Sequence, residues 1–138
     1  MSPVYEHVVQ VTTDMVDGNG HANNVAYVQW LQDAAVQHAE ASGCSEATVA
    51  LGATWVVRSH RIEYLSQAFA GDTIRVLTWV ASCGRVRSVR KYKLVRAADQ
   101  RVVAEAETNW VLVDVRMGRP RAITDEIKRA LPVVSEEP

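Results

Sequence analysis

The chain of 138 residues is 48% hydrophobic and 22% charged, which is the composition of an ordinary globular domain with one core. Its 15 lysines and arginines and 16 aspartates and glutamates leave a net charge of −1. Nucleic acid is therefore not an expected partner, because phosphate binding requires a basic excess. Two cysteines, Cys44 and Cys83, are too few for a disulfide framework, and we expect a reduced, cytoplasmic compartment.

A single domain over residues 1–138 is expected, because no internal repeat or low-complexity linker divides the chain. The first residues have neither the basic nor the apolar region of a signal peptide. No apolar run approaches the roughly 18 residues that cross a bilayer, so a membrane is not an expected partner. The last residues, from about position 133, are expected to form a disordered tail.

Hydrophobic periodicity predicts one strand, one long helix and then a series of strands. Residues 4–13 form the first predicted strand, and a polar, glycine-containing loop follows it. Apolar side chains then recur at helical spacing for about 20 residues, with Asn23 as the N-cap and Gly43 as the stop. The later predicted elements are strands at 55–65, 73–82, 85–96 and around 104–112, and a short closing helix at 124–131.

These elements predict an α+β fold in which a curved antiparallel sheet wraps one long central helix. Short turns between successive strands indicate antiparallel neighbours. In the last long strand Ala104, Ala106, Thr108, Trp110 and Leu112 share one face, and the two alanines would let the helix approach closely. Because such a sheet leaves open edges, we expect two copies to join edge to edge.

The loop before the long helix carries the polar residues that could perform chemistry. Asp17, Asn19 and His21 occupy alternating positions there, with glycines between them that permit close backbone approach to a ligand. The helix start that follows supplies free N–H groups, which suit a developing oxyanion, and a nearby carboxylate can act as nucleophile or general base. Asp, Asn and Gly also form ordinary turns, so on residue chemistry alone a catalytic and a structural interpretation both stay open.

The run from Asp17 to Trp30 resembles the signature of hotdog-fold acyl thioesterases. It is similar to the D-x-N-x-H-x-N-N-x-x-Y-x-x-W run of plant acyl-ACP thioesterases and to the segment that opens the central helix of 4-hydroxybenzoyl-CoA and long-chain acyl-CoA thioesterases. The likeness continues through the sequence, at residues 61–65, 70–74, 104–106 and 113–121. It implies a single hotdog fold and hydrolysis of an acyl thioester, carried by coenzyme A or by acyl carrier protein, without a cofactor.

The resemblance also implies roles for individual residues. Asp17 matches the catalytic carboxylate, a nucleophile in some members and an activator of water in others, and Asn19 and His21 match further catalytic polar residues. The N–H of Asn24 corresponds to the group that polarises the thioester carbonyl, and Glu63 to a further functional glutamate. Since the plant enzymes carry two hotdog units in one chain and this chain has one, a homodimer or homotetramer with the active site at the subunit interface is implied.

A basic segment lies between Asp72 and Asp99, which contains seven lysines and arginines and no acidic residue. Such a segment suits the phosphates of coenzyme A or the acidic surface of a carrier protein, and it equally suits a solvated outer sheet face. Members of the family that this chain resembles contact the phosphates of coenzyme A near the turn that corresponds to Gly84 and Arg85. The resemblance therefore predicts that Arg85, Arg87 and Arg90 bind these phosphates.

Other functional classes are less favoured by the sequence. Asp14, Asp17 and His21 make only a weak metal-ligand pattern, so no metal is expected. A Gly-x-Ser-x-Gly elbow is missing from the sequence, which argues against an α/β-hydrolase. Two alternatives to a thioesterase remain: a non-catalytic acyl-binding hotdog module, and a hotdog dehydratase acting on a carrier-bound hydroxyacyl chain.

Overall fold

The computed structural model describes residues 3–138 and has an α+β architecture. The described helices and strands are, in chain order, β1 (Tyr5–Gln10), α1 (Asn24–Ser42), α2 (Cys44–Ala50), β2 (Ala53–Tyr64), β3 (Thr73–Cys83), β4 (Arg87–Arg96), β5 (Arg101–Asp114) and α3 (Asp125–Ala130). A short 3₁₀ turn, Thr13–Met15, precedes α1. The predicted long helix, the four strands after it and the closing helix are all present.

The five strands form one antiparallel sheet in the order β1-β3-β4-β5-β2. Strands β3, β4 and β5 follow one another through short turns, as the sequence predicted. The connection from β1 to β2 passes through α1 and α2 and carries the chain from one edge of the sheet to the other. The curved sheet and its long helix confirm the predicted fold class.

Helix α1 begins and ends at the predicted residues. The Asn23 side chain accepts a hydrogen bond of 2.8 Å from the Ala26 N–H, and Gly43 ends the helix in the left-handed conformation with φ 87°. The buried side of α1 comprises Ala26, Tyr27, Trp30, Leu31, Ala34, Ala35 and His38. These side chains face the sheet, so the main core lies between the helix and the sheet.

Strand β5 supplies the floor of this core with the predicted face. Ala104, Thr108 and Leu112 are fully buried, and Ala106 is 9% exposed. Ala104 and Ala106 belong to the same cluster as the buried residues of α1. Small side chains at these positions let the helix lie close to the sheet, as expected.

Helix α2 was not among the predicted elements, in which the next element after Gly43 is the strand at 55–65. The left-handed Gly43 redirects the chain, and α2 starts at the next residue. Its Cys44 joins a second cluster with Ala53, Leu112 and Ile127. A helix of only seven residues shows barely two turns of periodicity, too short a pattern to be recognised.

The C-terminal residues lie against the sheet, where the sequence predicted disorder. The Val134 N–H donates to the Val80 carbonyl oxygen at 2.9 Å. Farther along, Lys91 Nζ lies 3.0 Å from a Glu137 carboxylate oxygen. The tail thus passes from the edge of β3 to β4. The hydrogen bond between the Val134 and Val80 backbones holds the tail there, and amino-acid composition does not indicate such a contact.

Candidate active site

The loop before α1 is closed by its own backbone. Val16 and Ala22 pair across it, the Asp17 N–H donates to the His21 carbonyl at 2.8 Å, and the Gly20 N–H donates to the Asp17 carbonyl at 3.0 Å. Gly20 has φ 78°, a conformation that an L side chain would strain. The glycine-containing segment is therefore a compact turn that holds Asp17 opposite His21.

The exposed carboxylate of Asp17 is fixed by one of its two oxygens. Oδ1 accepts hydrogen bonds from the backbone N–H groups of Asn19 at 2.9 Å and His21 at 3.2 Å. Such contacts are those of an Asx turn, so the fold of the loop accounts for Oδ1. Within the described residues Oδ2 has no hydrogen-bond partner, which leaves it available to a substrate or a water molecule.

The loop is anchored to the segment after β2. The Ala22 N–H donates to the Ala68 carbonyl at 2.8 Å, and the half-buried His21 ring meets the Phe69 ring edge to face, with centroids 5.0 Å apart. The backbone N–H of the exposed Asn19 takes part in the turn, whereas the side-chain amide of Asn19 makes none of these contacts. His21 therefore has a defined position, whereas the Asn19 side chain faces solvent.

The start of α1 offers unpaired N–H groups next to this turn. Asn23 caps Ala26, whereas the N–H groups of Asn24 and Val25 meet no acceptor in residues 3–138. The first turn of a helix also carries partial positive charge. Asp17, Asn19, His21 and Asn24 thus all lie in the junction between this turn and α1, a segment that carries both a carboxylate and unpaired N–H groups.

Glu63 does not lie at this junction in the protomer. Its neighbour Ile62 packs into the core beneath α1, and successive strand residues point to opposite faces of a sheet. The exposed Glu63 accordingly lies on the outer face, in a shallow depression with Lys93 and Glu105. The structure thus places Glu63 on the face of the sheet that points away from α1, and its role in substrate binding stays a prediction.

The three predicted phosphate-binding arginines are also separated. Arg85 lies in the β3–β4 turn next to Gly84 and Arg87 begins β4, and both side chains are exposed. Arg90 is only 4% exposed and its Nη1 donates to His38 Nδ1 at 2.9 Å and to Thr78 Oγ1 at 3.1 Å. Arg90 is therefore removed from the predicted phosphate-binding set, because it faces the core and not the surface.

Burial sets the charge of the pair formed by Arg90 and His38. Desolvation, together with the neighbouring guanidinium, lowers the pKa of His38 to about 4, so its imidazole is neutral and accepts from Arg90. Burial also lowers the pKa of Arg90 from its usual value. The alternation of Ser88, Arg90 and Tyr92 along β4 could have indicated the inward direction of Arg90, since Tyr92 is a core residue.

Tyr27 is a residue near the junction to which the sequence assigned only a place on the helix. It is buried, and burial raises the pKa of its hydroxyl. Its ring meets the Tyr64 ring edge to face at 5.0 Å, which connects the first turn of α1 to the end of β2.

None of the helices between residues 3 and 138 has the length and apolar character that membrane crossing requires.

The comparisons with known proteins agree with this architecture. A model of the thioesterase-like superfamily matches residues 11–131, and the chain belongs to that family. The structure resembles a 1,4-dihydroxy-2-naphthoyl-CoA thioesterase from Synechocystis with a TM-score of 0.83 and 17% identity, covering 93% of this chain and 95% of the other. This likeness confirms the hotdog fold.

Two curated relatives extend the family to different thioester carriers. Oleoyl-acyl carrier protein thioesterase 1 from Arabidopsis thaliana is 24% identical over 90% of this chain and 36% of its own length. The L-carnitine dehydrogenase/betainyl-CoA thioesterase of Ruegeria pomeroyi is 25% identical over 91% of this chain and 26% of its own length. The chain thus spans between a quarter and two fifths of these relatives.

Proposed function

We propose that this protein hydrolyses an acyl thioester to a free acid and a thiol, with Asp17 as the reacting carboxylate. The observation that carries the proposal is the junction itself: Asp17 is held by Oδ1, keeps Oδ2 free, and belongs to the turn that leads into the open N–H groups of Asn24 and Val25. Attack on a carbonyl needs both a base or nucleophile and a site for the oxyanion, and this junction offers both.

In the general-base route, Oδ2 of Asp17 takes a proton from a water molecule, whose oxygen attacks the thioester carbon. The Asn24 N–H stabilises the oxyanion that forms. When the C–S bond breaks, the thiolate leaves and receives the proton, so water is divided between the acid and the thiol. His21 and Asn19 orient the reactants. The reaction requires neither a metal nor a cofactor.

In the nucleophilic route, Oδ2 attacks the thioester carbon itself and expels the thiolate. The resulting mixed anhydride between Asp17 and the acyl group is then cleaved by water, which restores the carboxylate. Both routes use the same oxyanion site. Both also require an ionised Asp17, so one substitution tests them together.

The proposed substrate is an acyl-CoA, with an acyl carrier protein as the alternative carrier. Arg85 and Arg87 support the first choice, because exposed guanidinium groups on one turn can bind phosphates bidentately. One relative described above is named for a coenzyme A thioester and the other for an acyl carrier protein thioester. Together they are compatible with either carrier for this chain.

A homodimer or homotetramer with the active site at the subunit interface is part of the proposal. Strand β2 lies at one edge of the sheet and exposes Val56 and Val57 by 39% and 37%. Pairing the β2 edges of two copies would cover apolar side chains and extend the sheet. It would also bring a second chain toward the site that one chain builds only in part.

The test is Asp17→Asn, which removes the charge and keeps an oxygen that can accept the two backbone hydrogen bonds of the turn. Thiol release from acyl-CoAs of short, medium and long chain is measured for the wild type and the variant. We expect the rate to fall by at least about 100-fold, the lower bound for a positioned acid–base group. The melting temperature should stay unchanged because the turn is preserved.

Asp14→Asn is the matched control, since Asp14 is an exposed carboxylate three residues away, hydrogen bonded to Thr12. It should retain wild-type turnover. Near-wild-type turnover of Asp17→Asn would exclude Asp17 as the reacting group. Binding of acyl-CoA without any thiol release by the wild type would favour the acyl-binding module.

A further inference from the structure

A cavity of about 280 Å³ lies between α1, α2 and the beginning of β2, away from the loop that carries Asp17. Most of its lining is apolar or aromatic, including Ala35, Val36, Val49, Trp55, Trp110 and Leu131. Liquid water occupies about 30 Å³ per molecule, so the cavity has room for a ligand of about nine non-hydrogen atoms. The lining also contains Arg90, its one charged side chain.

The guanidinium of Arg90 has donors left over. Both hydrogen bonds to the protein, to His38 and to Thr78, come from Nη1. In the part of the chain that the structure describes, Nε and Nη2 meet no acceptor. These two nitrogens form the side-on edge that binds a carboxylate with two parallel hydrogen bonds.

The surroundings of Arg90 do not neutralise its charge. Aspartate and glutamate are missing from the described lining of the cavity, and His38 is neutral. Two neighbouring polar atoms, the Tyr92 hydroxyl and Trp110 Nε1, are buried without a hydrogen-bond partner. This layer of the core therefore holds unpaired polar atoms in addition to those of Arg90.

An unpaired charge buried in this way is costly, and native proteins pair such groups with a counter-charge or a ligand. A ligand that supplied two acceptor oxygens and a negative charge would satisfy Arg90. The apolar remainder of the cavity would favour a hydrocarbon body attached to that carboxylate.

We infer that this cavity binds an organic carboxylate with a short hydrocarbon chain, its two oxygens on Nε and Nη2 of Arg90. Two sources share this chemistry. One is a free carboxylic acid, such as the acid that thioester hydrolysis releases. The other is the far carboxylate of a dicarboxylic acyl group, and this second source rests on the proposed function.

The first experiment measures binding alone and does not depend on activity. Isothermal titration calorimetry on the wild type compares hexanoate with hexan-1-ol, which has the same hydrocarbon chain and no charge. Hexanoate should bind at least about tenfold more tightly than the alcohol, equivalent to about 1.4 kcal/mol. Equal affinity for the two ligands, or no binding of hexanoate, would overturn the inference.

Arg90→Met tests the assignment to one residue, because methionine fills similar space without charge. Its affinity for hexanoate should fall at least about tenfold while that for hexan-1-ol is kept. Arg101→Met, at an exposed arginine that begins β5, is the control and should bind hexanoate like the wild type. Equal hexanoate affinity in all three proteins would overturn the inference. If Arg90→Met does not fold, the wild-type comparison of acid and alcohol decides.

The two sources are separated by kinetics. If the carboxylate belongs to the substrate, Arg90→Met lowers kcat/KM for adipoyl-CoA at least about tenfold and leaves that for hexanoyl-CoA unchanged. If the ligand is a free acid, both substrates respond alike, and hexanoate changes turnover only in the wild type. Failure to hydrolyse any thioester would reject the proposed function and leave the binding result intact.

Discussion

Replacing Asn23 with alanine tests the physical link between the helix cap and the proposed catalytic junction. The Asn23 side chain accepts the Ala26 N–H at 2.8 Å, and its backbone N–H donates to the Met15 carbonyl at 2.8 Å. Alanine keeps the second bond and loses the first. The Ala26 N–H then retains only its longer hydrogen bond, 3.1 Å, to the Asn23 backbone carbonyl, so the substitution weakens the helix turn that provides the proposed oxyanion site.

The expected cost is that of a lost N-cap, about 1 kcal/mol within a range of about 0.5–2. For 138 residues the entropy of unfolding near the midpoint is about 0.29 kcal/mol/K, so Tm should fall by about 3 °C. A free-energy change of about 1 kcal/mol, the central value, alters the population of the ordered first turn by at most about fivefold. The rate of thiol release should therefore fall no more than about fivefold.

Differential scanning calorimetry and thiol release are measured on Asn23→Ala and on Asn23→Asp. Aspartate caps about as well as asparagine, so it should retain both Tm and rate. An unchanged Tm in Asn23→Ala would refute the capping argument. A rate loss far beyond fivefold, at the small Tm change, would instead assign Asn23 a direct part in the chemistry.

Two further predictions concern the core. His38 has a pKa of about 4 in the folded protein and 6.5 in the unfolded chain. As the pH falls, the unfolded chain therefore binds this proton before the folded protein does. The free energy of unfolding decreases as a result between pH 6.5 and about 4. In urea unfolding His38→Gln should flatten this part of the pH profile by up to about 3 kcal/mol, and an unchanged profile would contradict the assignment. Leu31→Ala removes a fully buried side chain of α1 and should cost about 2–5 kcal/mol in chemical denaturation. Val25→Ala, at a residue 77% exposed on the same helix, should stay within about 0.5 kcal/mol, and similar losses for both would argue against the described packing of α1.

The elements that could be predicted are those with strong local signals. Helix α1 has a capping asparagine, a terminal glycine and 19 residues of periodicity, and β5 alternates small buried and charged residues. Helix α2 and the order of the C-terminal tail could not be predicted in this way. Both depend on contacts with distant residues, such as Val80 for the tail, that composition does not encode.

The residues of the candidate site also differ in how far the sequence could predict their positions. Asp17, Asn19, His21 and Asn24 are close in sequence, so one turn and one helix start are enough to bring them together. Glu63 and Arg90 lie on strands, where a side chain's direction depends on the face of the sheet it occupies. Ile62 and Tyr92 were the neighbours that could have decided those faces, because each belongs to the main core.

The tail also determines in which direction the sheet can grow. Strand β1 covers β3 only as far as Thr78, and Val133 then pairs with Val80 in parallel, so the chain shields its own exposed backbone there. The β1 border is six residues long, whereas β2 at the far border is twelve. Unpaired backbone recruits further strands. If two copies join through β2, as proposed, a deletion of residues 133–138 would open a second edge for strand addition, and the dimer would become able to polymerise.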